Sequence, residues 1–315
     1  MLRRQFLTCA CGTAALALLP ACQGRDALTI GTLPWPGYEP LYLAEHFGWL
    51  PTTVRLRKAH SASQSIAGLV SGELDGATLT LDEALSARAT GLPLSVVLVL
   101  NESVGADVVL ARPDIREPAD LRGHRIAVER SAVGGIVLRK LLAAGGLQQS
   151  DVTLVDLPHD QQPAAWNEGL VDAVITYAPT DSQIERAGGQ RIFDSRQFPG
   201  TIFDILAVRD DRSRWRKRHV RDLIAAHLRG LDHLRTSRDD ALRRIAAWRG
   251  LSLDEARRAF SGLALPDLTQ NRSMLAPGGT LEQAAANLVR VMGLQDPRLD
   301  TLIDAGFLPE LAGPA

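Results

Sequence analysis

From Leu28 onward, short apolar runs alternate with stretches whose apolar residues recur at helical spacing. Leu28-Thr29-Ile30 alternates as a strand does and leads into Leu33-Pro34-Trp35-Pro36-Gly37-Tyr38, where two prolines and a glycine impose a loop. Pro40 stands at a favourable first helical position, with Leu41, Ala44 and Phe47 on one face and Gly48 as the stop. Val54 and Leu56 mark a second strand, and Ser61 or Ser63 caps a helix that closes near Gly72. Residues 77–79 predict a third strand. Thr80-Leu81-Asp82-Glu83 then fits a capping box, in which a hydroxyl and a carboxylate satisfy the free N–H groups of a helix start. The continuous apolar, β-branched run at 94–100 predicts a strand covered on both faces.

The pattern then repeats: a strand at 125–128, a helix at 134–144 ended by Gly145-Gly146, a strand at 152–155, a helix at 161–168 and a strand at 173–176. Strands alternating with helices of this length predict parallel βαβ units. Gly72-Glu73-Leu74-Asp75-Gly76-Ala77 is echoed by Gly169-Leu170-Val171-Asp172-Ala173-Val174 in glycine, aspartate and strand onset. Counting on from each aspartate puts Thr80 and Tyr177 at one structural point, just past the carboxyl end of a strand, where ligands of open parallel sheets bind. Residues 202–208 give one more strand. Beyond it the pattern is helical, with Leu223, Ala226, Leu228, Leu231 and Leu234 on one core face and Ala284, Leu288, Val291 and Met292 on another. The expectation is an α/β chain of two lobes, residues 27–104 plus 207–315 forming lobe 1 and 105–206 forming lobe 2. Two crossings, near 103–107 and 203–206, make a hinge with a cleft between the lobes.

The first 22 residues do not read as fold. Arg3 and Arg4 precede an apolar run from residue 6 to 19, too short for the ~20 residues that span a bilayer. A basic start, a short apolar middle and small residues before a cut describe a signal peptide, residues 1–21. Leu19-Pro20-Ala21-Cys22 resembles a lipobox, which makes Cys22 the lipidated N-terminus and 22–26 a tether; the alternative is an ordinary cut near Ala21. Arg3-Arg4-Gln5-Phe6-Leu7 resembles the twin-arginine export motif, so both export routes stay open. The mature chain is expected in the periplasm or on the extracytoplasmic face, touching membrane through the anchor alone.

Cys9, Cys11 and Cys22 are the three cysteines, so the mature domain would carry no thiol. That excludes a disulfide, a cysteine–zinc site and a thiolate nucleophile there, and it suits an oxidising compartment. Loss of Arg3 and Arg4 leaves 33 basic against 36 acidic residues, a balance that gives no reason to bind nucleic acid. Arg212, Arg214, Arg216, Lys217 and Arg218 have Asp210, Asp211 and Asp222 close by, as on a solvated helix face.

At residues 35–44 the sequence becomes specific. Trp35-Pro36-Gly37-Tyr38-Glu39-Pro40-Leu41-Tyr42-Leu43-Ala44 followed by Gly48 resembles the opening of the nitrate/sulfonate/taurine class of ABC-importer substrate-binding proteins. Gly72-Glu73-Leu74-Asp75-Gly76-Ala77, Ser103-Val104-Gly105-Ala106-Asp107, Asp120-Leu121-Arg122-Gly123-His124-Arg125-Ile126-Ala127-Val128-Glu129 and Gly169-Leu170-Val171-Asp172-Ala173-Val174 extend the resemblance over roughly 28–210. It implies the two-lobed periplasmic-binding-protein fold with two crossover segments, here with a helical C-terminal portion. It implies a small-molecule ligand, an ABC permease with its cytoplasmic ATPase as partners, and no chemistry. A ligand-binding co-receptor for a membrane signalling protein is the alternative use of the same cleft. Many such proteins carry a glutamate before the proline of the segment matched by Tyr177-Ala178-Pro179; here Ala178 stands in its place. Relatives that make a pyrimidine precursor use a cysteine-rich segment that the mature chain lacks.

Position after strands supplies the ligand-contact candidates: Trp35 and Tyr38 on the first loop, Ser61, Ser63 and Gln64 at one helix start, Thr80 and Asp82 at the next. Asn101, Glu102 and Ser103 lie where the chain leaves lobe 1, Asp107 and Asp204 on the crossovers, and Glu129, Ser131 and Val133 at the start of a lobe 2 helix, with Tyr177 facing them. No Gly-x-Ser-x-Gly elbow, phosphate loop or His-Glu-x-x-His pair is present, and His46, His60, His124, His159, His219, His227 and His233 lack metal-ligand spacing. The expectation is a monomeric binding protein, not an enzyme, with no cofactor and no metal. Acids outnumber Lys58 and Arg130 among these loops, which favours a neutral or cationic nitrogen-rich ligand over a zwitterion such as taurine, and both over a simple anion.

Overall fold

Among the described residues, eleven strands gather into two sheets. In chain order they are β1 Leu28–Thr32, β2 Val54–Lys58, β3 Gly76–Thr80, β4 Leu94–Ser103, β5 Val108–Ala111, β6 Arg125–Val128, β7 Thr153–Asp156, β8 Ala173–Thr176, β9 Gln190–Asp194, β10 Phe203–Arg209 and β11 Leu263–Ala264. The structure is a computed structural model that describes residues 27–130, 133–213 and 216–310. The expected signal peptide, the 22–26 tether with Cys22, and Ser131 lie outside the described residues.

The first sheet runs β11-β4-β10-β3-β1-β2 and the second β7-β6-β8-β5-β9. The pairs β1–β2, β1–β3, β6–β7 and β6–β8 are parallel, as the alternation with helices predicts. Into each sheet one strand is inserted the other way: β10 between β3 and β4, and β5 between β8 and β9. The chain therefore leaves the first sheet at the end of β4 and re-enters it at the start of β10, the two crossovers of the periplasmic-binding-protein fold. Strands β5 and β9 carry no clear signal in the sequence. β5 is four apolar residues long, and β9 is an edge strand whose Gln190 and Arg191 hide the alternation. The C-terminal region is helical, except that β11 adds two residues to the edge of β4.

The sequence echo is a structural one. Asp75 accepts the N–H of Thr29 at 2.9 Å and Asp172 accepts the N–H of Arg125 at 2.9 Å, so each aspartate ties the start of one strand to the start of its parallel neighbour. The registers that follow match: Ile30 pairs with Gly76, and Ile126 with Ala173. Gly72 and Gly169, three residues earlier in each case, have φ of 78° and 70°, which a side chain would strain. Thr80 then ends β3 and Tyr177 follows β8 directly.

One apolar core lies on the first sheet, and further clusters cover the two faces of the second. The helices of the C-terminal region brace the first loop. Helix Lys217–Thr236 lies so close to helix Glu39–His46 that a Cβ on Gly230 would stand 2.0 Å from the Pro40 carbonyl oxygen. Buried Glu39 accepts from Arg249 Nε at 2.6 Å and from Trp248 Nε1 at 3.0 Å, fixing the turn that follows Trp35 and Tyr38.

A candidate ligand-binding cleft

The carboxyl ends of the parallel strands of both sheets point at one another. From the first sheet come Trp35 and Tyr38 after β1, Thr80, Asp82 and Glu83 after β3, and Asn101 at the end of β4. Asp204 joins them from β10, where it stands in register between Thr80 on one side and Asn101 on the other. The second sheet supplies Glu129 after β6, His159 after β7 and Tyr177 after β8.

The Trp-Pro-Gly-Tyr loop has a reason for each residue. Pro36 opens a short 3₁₀ turn, whose fixed φ suits that position. Gly37 leaves the space that the Asn101 amide fills: a Cβ there would lie 1.9 Å from Asn101 Nδ2. Tyr38 is buried and donates its O–H to Asp204 Oδ1 at 2.5 Å. Trp35 reaches the other sheet, where its ring meets Tyr177 edge-on, with centroids 5.2 Å apart.

Four acids share the buried part. Burial raises the Asp204 carboxyl to about 7; the Tyr38 hydroxyl opposes this, and the charges of Asp107 and Asp82 add to it. Asp107 is pushed up to about 6, first by burial, with Ser103 opposing and Asp82 adding. Burial also raises Asp82, against the Thr80 hydroxyl and the positive charge of Arg139 on the helix Gly134–Ala144. Glu83 rises to about 8 through burial and the neighbouring Asp82 charge. These shifts mark carboxyls that repel one another out of water. In the expected capping box, Glu83 accepts the Thr80 N–H at 2.9 Å. The Thr80 hydroxyl completes no well-formed hydrogen bond, yet lies near enough to Asp82 to favour its charged form.

On the facing side His159 joins two of the expected residues. Its Nδ1 lies 3.0 Å from the Tyr177 hydroxyl and 3.8 Å from the Glu129 carboxylate, which it holds below the ordinary glutamate range. Burial and the nearby acids push the Tyr177 hydroxyl up. The scattered histidines of the sequence gave no hint of this pairing; the usable signal was position, since His159 follows the end of β7 as Tyr177 follows β8.

Other expected residues serve the frame. Ser61 caps its helix by accepting the Gln64 N–H at 3.2 Å, and Gln64 Oε1 accepts the His60 N–H at 2.8 Å. With Ser63 they stay exposed at that helix start, and no hydrogen bond ties them to the buried cluster among the described residues. Ser103 sits in the crossover, its Oγ 2.8 Å from Ser195 Oγ and accepting the Asp107 N–H at 3.2 Å. Glu102 accepts from the Gly200 N–H at 2.8 Å, and Val133 packs into the core of the second sheet. Among the described residues no helix is long and apolar enough to cross a membrane, and no three His, Cys, Asp or Glu side chains group to hold a metal ion.

A family model described as NMT1-like matches residues 23–250. The chain belongs to the NMT1-like family. It is 27% identical over 162 residues to the taurine-binding periplasmic protein of Escherichia coli K12, an alignment covering 50% of each chain. The chain thus spans about half the length of this relative. Among solved structures, this NMT1-like chain superposes on the alkanesulfonate-binding protein SsuA of Xanthomonas axonopodis pv. citri, bound to MOPS, with a TM-score of 0.70 at 19% identity, covering 87% of this chain and 96% of the other. The nitrate-binding protein NrtA of Synechocystis PCC 6803 gives 0.71 at 13% identity, covering 90% and 87%. These likenesses establish the periplasmic-binding-protein fold for this member of the family.

Proposed function

We propose that this chain is the extracytoplasmic solute-binding component of an ABC importer. It captures a small polar solute carrying a cationic or N–H-rich group between two lobes, one built on each sheet, and delivers it to a permease. Because β10 pairs with β3 and β4 from Phe203 onward, the expected boundary at 206/207 moves back to the start of that strand, and Asp204 belongs to lobe 1. The observation that carries this reading is the convergence of Asp82, Glu83, Asp107 and Asp204 at the carboxyl edge of the first sheet, opposite Glu129 and Tyr177 of the second. Buried like charges are costly without a countercharge. A guanidinium, amidinium or ammonium group on the solute supplies it, and Trp35 and Tyr177 offer ring surface to the rest of the molecule. The taurine and alkanesulfonate in the names of similar proteins support a solute-binding role. The acids weigh against a bare anion such as nitrate.

Family membership and the absence of a catalytic constellation in the sequence support a binding protein rather than an enzyme. Cys22 anchors the mature monomer by lipid at the extracytoplasmic membrane face. The test is a thermal-shift and calorimetric screen of the mature domain with urea, acetamidine, cytosine, taurine and nitrate. A solute at a hundredfold excess over its Kd should stabilise the fold by about 2.7 kcal/mol, and Asp204→Asn should weaken it. Tight nitrate binding that survives Asp204→Asn would overturn the ligand assignment.

A further inference from the structure

We propose that Asn101 and Trp35 form a paired donor subsite for an acceptor oxygen of the solute, which makes the preferred ligand bipolar: oxygen acceptor at one end, cationic nitrogen at the other. The inference rests on the binding reading above and adds the second half of the ligand.

Buried polar side chains are nearly always hydrogen-bonded, so each exception calls for a reason. Asn101 is 0% exposed, and neither its Oδ1 nor its Nδ2 completes a well-formed hydrogen bond, although the amide lies near enough to Asp204 to favour its charged form. Trp35 Nε1 is a second buried nitrogen without a partner. The two meet over Gly37. Asn101 Nδ2 lies 1.9 Å and Trp35 Nε1 2.8 Å from the point where a Cβ of that residue would stand, so the nitrogens are no more than about 4.7 Å apart. One oxygen can accept from two N–H donors at that separation, with each N···O near 2.9 Å. The glycine is what admits the pair; any side chain at 37 would displace the amide.

The placement relative to the acids sets the ligand class. Asn101 is the register partner of Asp204 on the adjacent strand, and strands lie about 4.8 Å apart. Donors for an oxygen and acceptors for a nitrogen are therefore one strand spacing from each other, a distance that a two-carbon link between the polar ends of a solute spans. Uncharged polar molecules with one end only, and anions lacking the nitrogen, fill half of such a site. The Tyr38 hydroxyl is already committed to Asp204, the Thr80 hydroxyl lies against Asp82, and the Asn101 amide can spend one N–H on Asp204, which leaves the Trp35 indole N–H and the second Asn101 amide N–H for the oxygen.

Taurine, ethylammonium and ethanesulfonate, titrated separately by calorimetry into wild type, Asn101→Leu and Trp35→Phe, test this. Trp35→Phe keeps a ring against Tyr177 and removes only the N–H. Wild type should bind taurine at least tenfold tighter than either half-molecule. Both variants should lose about tenfold or more for taurine while binding ethylammonium as wild type does. Because the amide completes no well-formed hydrogen bond within the protein, Asn101→Leu should also leave the ligand-free melting temperature unchanged or raised, where a structural role would lower it. Unchanged taurine affinity in both variants overturns the subsite and leaves the binding reading standing. Failure of all three probes with wild type overturns the bipolar ligand; failure of urea, acetamidine and cytosine as well overturns the binding reading itself.

Discussion

The rings of Trp35 and Tyr177, one from each sheet, meet edge-on at 5.2 Å with an interplanar angle of 89°. They are neighbours only because both follow the carboxyl ends of strands in sheets that face each other. Ile136 from the second half packs into the core of the first sheet, and Arg186 meets Glu255 at 3.1 Å, so the lobes touch at several points. An edge-on aromatic pair contributes about 0.5–1.5 kcal/mol beyond its buried area. Tyr177→Ala should therefore weaken solute binding by roughly three- to tenfold and expand the loaded protein in small-angle scattering. An unchanged radius of gyration and an unchanged Kd would remove this contact from the closing motion.

Solute binding should depend on pH through the buried acids. Asp107, Asp204 and Glu83 sit at about 6, 7 and 8, all raised chiefly by burial. A cation binds their ionised forms, so affinity should rise between pH 5.5 and 8, with protons released on binding. In the empty protein the sign is opposite. The folded state holds protons that the unfolded chain gives up near pH 4, so these acids subtract from stability as pH rises above about 4, and the loss is complete once each has titrated at 6 to 8. Calorimetry in two buffers of different ionisation enthalpy reads the proton count. A pH-independent Kd with no proton release would separate the acids from the ligand.

The Glu39–Arg249 pair predicts a stability effect at a distance from the cleft. Glu39 is buried, and its replacement leaves the Arg249 guanidinium and the Trp248 indole N–H without their carboxylate. Breaking such a pair from one side is costly, and partial exposure of Arg249 moderates the loss. Glu39→Ala should destabilise by about 2–4 kcal/mol in urea unfolding. A loss under 1 kcal/mol would show that the C-terminal helices do not hold the first loop.

His227 predicts an acid limb. It is buried in helix Lys217–Thr236 with both ring nitrogens unpartnered, and burial lowers its pKa from 6.5 to about 3. The unfolded chain takes up the proton first, so its contribution is complete above about pH 6.5 and is lost as pH falls toward 3, by about 1.4 kcal/mol per unit. His227→Leu should narrow the stability gap between pH 7 and pH 4.5. An unchanged gap would place the acid sensitivity elsewhere.

Anchoring has a direct test. Cys22→Ala expressed with its leader should leave the membrane fraction and cease to incorporate labelled palmitate. Continued labelling would refute lipid attachment at Cys22.

Much of the fold was legible because parallel βαβ units write themselves locally. Apolar runs, helix caps and the Gly-x-x-Asp starts at 72–75 and 169–172 are short-range signals, and hydrogen bonding within a few residues enforces them. The strands β1, β3, β6 and β8, the twofold echo, the helical tail, and Trp35, Tyr38, Thr80 and Tyr177 as residues at strand ends follow from the sequence by that physics. Strands β5 and β9 did not, because a four-residue apolar run and a polar edge strand acquire meaning only from the partners that flank them. Within the site, Ser61 and Gln64 read the same whether they cap a helix or touch a ligand, and the structure shows them capping. Asn101 meets Trp35 only because Gly37 yields space to its amide from sixty-four residues away, and His159 meets Tyr177 and Glu129 only once β6, β7 and β8 lie side by side. The sequence by itself determined which elements form and where strands end, since those depend on neighbours along the chain. Tertiary structure alone decided which buried polar groups go unpaired and which acids crowd together, since desolvation and repulsion depend on neighbours in space.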